Sequence, residues 1–305
     1  MTVQRPDDPH RSASAPVVVG TDGSEAAGLA VGWAAEVAAQ RGRRLIIVHG
    51  LDLATARSGF GVVDLIAPAV SDAIKRRGAD HVSAAARLAH EVAPGLSIET
   101  MVSETGPALL LIEQSASANL VAIGSSGESG TIAHLGSTLL AVVGHGHGAI
   151  VVVRDTGTEQ QPRHDGPVVV GVDGSAAGAA AVAAAFAEAA ERNARLIAVH
   201  AYSDLNFDRF AGLPNTIRDP AVAAAAQAVL AEQLAGWQEK YPDVEVVRKV
   251  YPSGPRHQLI EWSKSAQILV VGSRGRGGFS GLLLGTTSNS LVQQARCPVM
   301  VVHQR

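Results

Sequence analysis

Short apolar runs alternate along this chain with longer stretches in which apolar residues recur at helical spacing. In the first half the runs are Val17 to Gly20, Leu45 to His49, Ser97 to Val102, Leu120 to Gly124 and Ile150 to Val153. Most are apolar at every position, as in strands covered on both faces, so a parallel sheet with helices on each side is predicted. Between the first two runs Ala26, Leu29, Ala30, Trp33 and Val37 mark one face of a helix, and Ser24 stands where its cap belongs. Val182, Phe186 and Ala190 repeat that arrangement after Ser175. The stretches around 51–75 and 201–220 hold glycine, proline and scattered charge, and each predicts a loop leading into a helix.

The second half repeats the first. "PVVVGTDGSEAAGLA" from Pro16 returns as "PVVVGVDGSAAGAAA" from Pro167, and "RLIIVHG" from Arg44 returns as "RLIAVHA" from Arg195. "GPALLLIEQSASANLVAIGSSG" from Gly106 matches "GPRHQLIEWSKSAQILVVGSRG" from Gly254. Two copies of domain size indicate a tandem duplication rather than a solenoid. The predicted organisation is a tail over 1–14, a first domain over 15–156, a linker over 157–164 and a second domain over 165–305. Each domain is expected to be a five-stranded, parallel, doubly wound α/β sheet of Rossmann type.

Composition narrows the function classes. With 305 residues, 47% of them hydrophobic, the chain can build two cores. A formal net charge of −3 gives no basic field to gather nucleic acid or anionic lipid, and 4% aromatic residues offer few stacking platforms. The opening "MTVQRPDDPHRSASA" lacks the apolar core of a secretory signal, and no segment approaches the roughly 18 apolar residues of a membrane span. A cytoplasmic protein with a disordered N-terminal tail is expected. The single cysteine, Cys297, precedes a proline and an apolar run and is expected to be a buried structural thiol.

In open α/β sheets ligands sit beyond the carboxyl ends of the strands, where strand order reverses. Three pieces of the second copy fall there: Asp173, the turn at His200 and Ala201, and the loop "GSRGRGGFSGLLLGTT" from Gly272. Its glycines let backbone amides approach an anion unobstructed, and a helix opening near Gly285 would add its own free N–H groups. Thr286 and Thr287 can donate hydroxyl hydrogen bonds, and Arg274 and Arg276 bring positive charge to the same spot. The result is a phosphate cradle without the lysine of a P-loop. Asp173 either accepts a hydrogen bond from an adenine amine or ribose hydroxyl, or caps the turn into the helix.

The spacing Gly272-x2-Gly275-x9-Gly285-Thr286, together with Asp173 and the "VHA" after the second strand, resembles the ATP-binding class of the universal stress protein family. The likeness covers the chain outside its tail and linker. It implies an adenine-nucleotide α-hydrolase-like fold in each half and ATP, with or without Mg2+, as the ligand of a stress-response protein. By position, Gly171 and Val172 would line the base pocket, and Asp173 and the Ala201 backbone would meet the adenosine. Gly272, Gly275, Gly285 and Thr286 would hold ribose and phosphates. Expected partners are ATP, further copies of the chain in a homodimer or higher oligomer, and a protein the sequence does not identify; nucleic acid and membrane are not expected.

The first copy departs from this pattern. Its corresponding residues are Asp22, Gly50, Gly124, Gly127, Gly136 and Ser137, but the second glycine interval is one residue shorter, and Ser126 and Glu128 replace the two arginines. Two unit charges ~5 Å apart at an effective dielectric of ~20 interact by about 3 kcal/mol, so a carboxylate beside phosphates is a real obstacle. The second site is therefore expected to bind ATP better, and Glu128→Arg to improve the first.

Other signatures fail on inspection. "DTGT" at Asp155 has no second copy to complete an aspartic-protease pair, and Asp155 falls in the linker. "VDGS" resembles haloacid-dehalogenase phosphatases, yet Gly20 and Gly171 stand where the nucleophilic aspartate is needed. "RGRGG" lies inside an ordered repeat with few aromatics nearby, unlike an RNA-binding tract. His145 and His147 in "GHGHG" lack cysteine or carboxylate neighbours for a metal and read as a solvent-facing helix end. His49 and His200 either pack or hydrogen-bond near the base. Three function classes remain: a nucleotide-binding regulator, a slow ATPase or nucleotidyl-transfer enzyme, and a protein whose duplication serves dimerisation alone.

Overall fold

The computed structural model describes residues 14–51, 68–125, 136–154, 161–201, 220–252, 254–275 and 283–304. The chain divides into two compact units, Met1–Val153 and Arg154–Arg305.

In the first unit the elements are β1 (Val17–Gly20), α1 (Glu25–Gln40), β2 (Leu45–Gly50), α2 (Pro68–Val92), β3 (Ile98–Ser103), α3 (Pro107–Ser115), β4 (Leu120–Gly124), α4 (Ser137–His145) and β5 (Ala149–Val153). Strand order is β3-β2-β1-β4-β5, all parallel. The second unit repeats this with β6 (Val168–Gly171), α5 (Ala176–Glu191), β7 (Leu196–Ala201), α6 (Pro220–Leu234), the short α7 (Trp237–Lys240), β8 (Val246–Tyr251), α8 (Pro255–Ser263), β9 (Ile268–Gly272), α9 (Thr286–Gln294) and β10 (Val299–Val302). Its order is β8-β7-β6-β9-β10, again parallel. Each unit is thus the predicted doubly wound sheet, with strand order reversing at β1/β4 and at β6/β9.

The inner strands are the core. Val17, Leu45, Ile47, Leu120 and Ile150 in the first unit, and Val168, Leu196, Ile268 and Leu269 in the second, are fully buried. Each such side chain contributes about 1.5–3 kcal/mol on leaving water. β3 does not follow the apolar rule, because it is an edge strand and Glu99, Thr100, Met101 and Val102 are exposed.

The repeated D-G-S motif is a device for starting a helix. In the first unit Asp22 Oδ1 accepts the Ser24 N–H at 3.0 Å, Gly23 takes φ +81, and Ser24 Oγ accepts the Ala27 N–H at 3.2 Å. In the second, Asp173 Oδ1 accepts the Ser175 N–H at 2.9 Å, Gly174 takes φ +77, and Ser175 Oγ accepts the Gly178 N–H at 3.0 Å. The middle residue is glycine because an L side chain is strained there.

The helix faces differ in detail from the sequence expectation. Val182 and Phe186 are buried but Ala190 is exposed, and Ala189 takes the inward position. Ala26 and Leu29 are half-buried, while Ala27, Ala30, Val31, Trp33 and Ala34 face inward. Steps of four residues advance about 40° beyond a full turn, so two of them carry a residue off the buried face.

Candidate functional site

At the end of β6 the backbone of Val172 ties two strand ends together. Its N–H donates to the Val199 carbonyl at 2.8 Å, and its carbonyl accepts from His200 Nδ1 at 2.6 Å. A carbonyl only accepts, so Nδ1 of the buried His200 carries the proton and the tautomer is fixed. The first unit repeats this with Thr21 N–H on the Val48 carbonyl and His49 Nδ1 on the Thr21 carbonyl at 2.7 Å. The two histidines are pins that hold the ends of neighbouring strands at the crevice.

The glycine loop of the second unit is anchored at both described ends. Gly272 is buried, with the Ala177 carbonyl 3.0 Å from where a Cβ would stand, so β9 packs directly on the first turn of α5. Ser288 Oγ donates to the Gly272 carbonyl at 2.7 Å, and the Gly285 N–H donates to the Ser273 carbonyl at 2.8 Å. A Cβ on Gly285 would lie 3.6–3.7 Å from Ser273 O, Arg274 Cα and Gly275 N. Departing and returning backbone therefore touch, and Gly275 meets the start of α9.

Asp173 joins the same cluster. A Cβ on Gly275 would stand 2.5 Å from Asp173 Oδ2, so that carboxylate oxygen faces the Gly275 backbone. Its other oxygen accepts both the N–H and, at 2.7 Å, the hydroxyl of Ser175. Of the two roles left open for this residue, the turn role is observed, on Oδ1. Oδ2 points into the loop cluster.

α9 starts at Gly285, which as N-cap offers no side-chain hydrogen bond, and its first turn carries no acidic residue. Gly285 supplies no side-chain cap to the opening N–H groups, and with the helix dipole they form a region that favours an anion. Thr286 and Arg274 beside it are exposed and Thr287 is half-buried. The structure thus brings Asp173, Gly272, Arg274, Gly275, Gly285, Thr286 and Thr287 to one end of the sheet. Gly171 and Val172 lie at the end of β6 and Ala201 at the end of β7. Arg276 lies outside the described residues.

Among the described residues the first unit shows part of this arrangement. Gly124 meets the backbone of Ala26, with a Cβ position 2.6 Å from its carbonyl carbon and oxygen. Gly136 caps α4 without a side-chain bond, but among the described residues nothing lies within 4 Å of its Cβ position, and Ser137 is exposed. Gly50 is covered by its own unit, since a Cβ there would lie 2.5 Å from Pro107 Cα and 2.8 Å from the Thr105 carbonyl. Asp22 forms the same turn as Asp173. Gly127, Ser126, Glu128 and Asp155 lie outside the described residues.

Elsewhere, His145 sits exposed in the last turn of α4 with Nδ1 3.1 Å from the Ala141 carbonyl, and His147 is exposed. Among the described residues no group of three or more His, Cys, Asp or Glu is placed to hold a metal, and no helix is long and apolar enough to cross a membrane. Cys297 is buried, and burial pushes its thiol up to about 12.

The sequence singles out His49 and His200, but two contacts at the crevices give no signal in it. One is the histidine-to-carbonyl pin, which depends on strands meeting in space. The other is His81 of α2, which reaches the first unit's crevice from a helix whose apolar periodicity says nothing of that contact.

Comparison with known proteins gives a consistent result. The model of the universal stress protein family matches residues 14–154 and again 166–303. The chain is 36% identical over 309 residues to the universal stress protein Rv2623 of Mycobacterium tuberculosis, covering 96% of this chain and 98% of that protein. It is 39% identical over 301 residues to the universal stress protein Rv2005c of the same organism, covering 94% and 97%. Among solved structures, a universal stress protein from Archaeoglobus fulgidus shares the fold with a TM-score of 0.66 at 17% identity, over 97% of this chain and all of that one. Two family matches in tandem and relatives of nearly equal length place the chain in the universal stress protein family.

Proposed function

We propose that this chain is an ATP-binding regulatory protein of the stress response, with its working nucleotide site in the second unit. The observation that carries this reading is the meeting of Asp173, Gly275 and the glycine-capped start of α9 at the C-terminal end of the sheet. In this arrangement the amides around Gly275 and Gly285, the Thr286 hydroxyl and Arg274 receive the phosphates. Gly171, Val172 and the Ala201 backbone border the base, and Asp173 Oδ2 accepts from the adenosine hydroxyls. Mg2+, where it accompanies the nucleotide, is held by the phosphates and water, since the cluster offers a single carboxylate.

That chemistry favours binding over turnover. A hydrolase needs a base to orient water at the terminal phosphate, and the phosphate side of this cluster supplies glycine, serine, threonine and arginine. Binding to one conformation or assembly in preference to another shifts the population by mass action, which makes occupancy a signal of ATP level.

The test is extraction of nucleotide from freshly purified full-length protein, with Gly275→Leu as the comparison. Adenine nucleotide in the wild type and its loss in the variant are expected. Failure of the wild type either to carry nucleotide or to bind added ATP overturns the reading, and sustained release of phosphate abolished by the same substitution replaces it with an enzyme.

A further inference from the structure

In the first unit a side chain of the unit itself stands in the crevice at the ends of β1 and β2. His81 of α2 lies against the turn after β1: a Cβ on Gly23 would be 2.7 Å from Cδ2 of its imidazole and 2.8 Å from Nε2. The same ring meets His49 edge-on, with centroids 5.2 Å apart and planes at 81°. His49 is immobilised by its bond to the Thr21 carbonyl, so it forms a fixed wall. One turn earlier on α2, Gly78 lets the helix settle onto the end of β2, because a Cβ there would be 2.8 Å from His49 Cδ2 and 3.0 Å from Leu51 Cδ2. A planar heterocycle is thereby held between the D-G-S turn and the histidine that ends the second strand.

The second unit is built differently at this place. Counting back from the matching Gly106 and Gly254, Val82 corresponds to Leu230, and both are buried, so the two helices keep one register. Gly78 then corresponds to Ala226 and His81 to Val229. The second unit presents an aliphatic side chain where the first presents a ring.

We propose that His81 is the residue that closes the first unit to nucleotide, its imidazole taking the place that the base takes in the second unit, so that the chain carries one open site. The inference rests on the assignment of the second unit's crevice to adenosine. A tethered ring competes at high effective concentration with any free base, and entry of a purine requires His81 to leave both Gly23 and His49. The duplicated chain thus keeps two copies of the fold but a single ligand.

The test is calorimetric titration of the full chain with ATP, comparing wild type with His81→Val, the residue found at the matching place. The His49 ring protons, followed by NMR, locate the added site. One ATP per chain in the wild type and two in the variant are expected, with His49 resonances moving on ATP addition in the variant alone. Two sites in the wild type, or no added site in the variant, overturns the proposal. No binding in the wild type with one site gained in the variant, reported by His49, removes the ATP assignment of the second unit while His81 keeps its role. His81→Ala, which opens space, carries the same comparison if the valine variant does not fold.

Discussion

Gly275, Gly285 and Gly124 are glycines at loop ends, yet their surroundings set different costs for a methyl group. At Gly285, with φ −62, an alanine Cβ makes ordinary contacts of 3.6–3.7 Å, so Gly285→Ala is expected to change stability by no more than about 1 kcal/mol, the usual scale of an N-cap exchange. At Gly275 the Cβ meets Asp173 Oδ2 at 2.5 Å, and either the carboxylate or the loop must move. Gly275→Ala is therefore expected to weaken ATP at least tenfold, about 1.4 kcal/mol, with little change in the denaturation midpoint. At Gly124 the obstacle is the Ala26 backbone, which cannot rotate away, and Gly124→Ala should cost about 1–3 kcal/mol in chemical denaturation. Cys297 supplies a pH dependence. Its thiol is neutral in the folded state up to about 12, whereas the unfolded thiol ionises near its ordinary 9.0. Below 9 its contribution is fully present; between these values the folded state holds a proton that the unfolded state has lost, so stability falls as pH rises, by on the order of 1 kcal/mol per unit. Cys297→Ala should flatten that alkaline slope in denaturant midpoints measured from pH 8 to 11, and a persistent slope of the same size would assign it to other groups.

At the scale of elements, each D-G-S turn joins a strand end to a helix start, and the aspartate and serine act as one unit. Ser175→Ala removes both the cap on Gly178 and the hydroxyl donated to Asp173, so a loss of about 1 kcal/mol in denaturation is expected, with a drop in ATP affinity as the carboxylate loses a partner that orients it. Retained affinity with lost stability would separate the cap from the site. This element was legible in the sequence because glycine, aspartate and serine have narrow backbone preferences that act locally. The strands were legible for a similar reason: Leu120 to Gly124 is apolar throughout because both of its faces are covered, and only such burial demands that composition. Legibility ended where a contact depends on elements distant in sequence. Glu188, a charged residue within α5, is buried, paired with Arg192 at 2.9 Å, and Arg192 reaches on to Gln267, partners 4 and 79 positions from Glu188 that no local pattern names. The exposure of β3 follows from its place at the edge of the sheet, which the run itself does not encode. His81 meets His49 only because Gly78 lets α2 approach, and no periodicity announces which helix turn will stand over a strand end.

Across the whole molecule, duplication has produced two units that share strand order and helix starts and differ at their crevices. The second has the start of α9 seated on Ser273 to Gly275 and an aliphatic Val229; the first has an exposed Gly136 and His81. The net charge of −3 gives the molecule as a whole no pull on a polyanion, so the proposed ATP binding relies on the local N–H groups and arginines of the second unit. Ligand binding stabilises only the state that binds it, by about 2.7 kcal/mol when free ATP is a hundred times the dissociation constant. Hydrogen exchange on the intact chain reads where that energy is felt. With saturating ATP, amides of 171–175, 272–275 and 285–288 are expected to slow, while those of 20–24 and 136–140 in the first unit keep their rates. In His81→Val the amides of 20–24 should slow as well. Equal protection of both units in the wild type would mean that the two crevices fill alike, and the differences at Gly136 and His81 would then have no bearing on which unit takes the nucleotide.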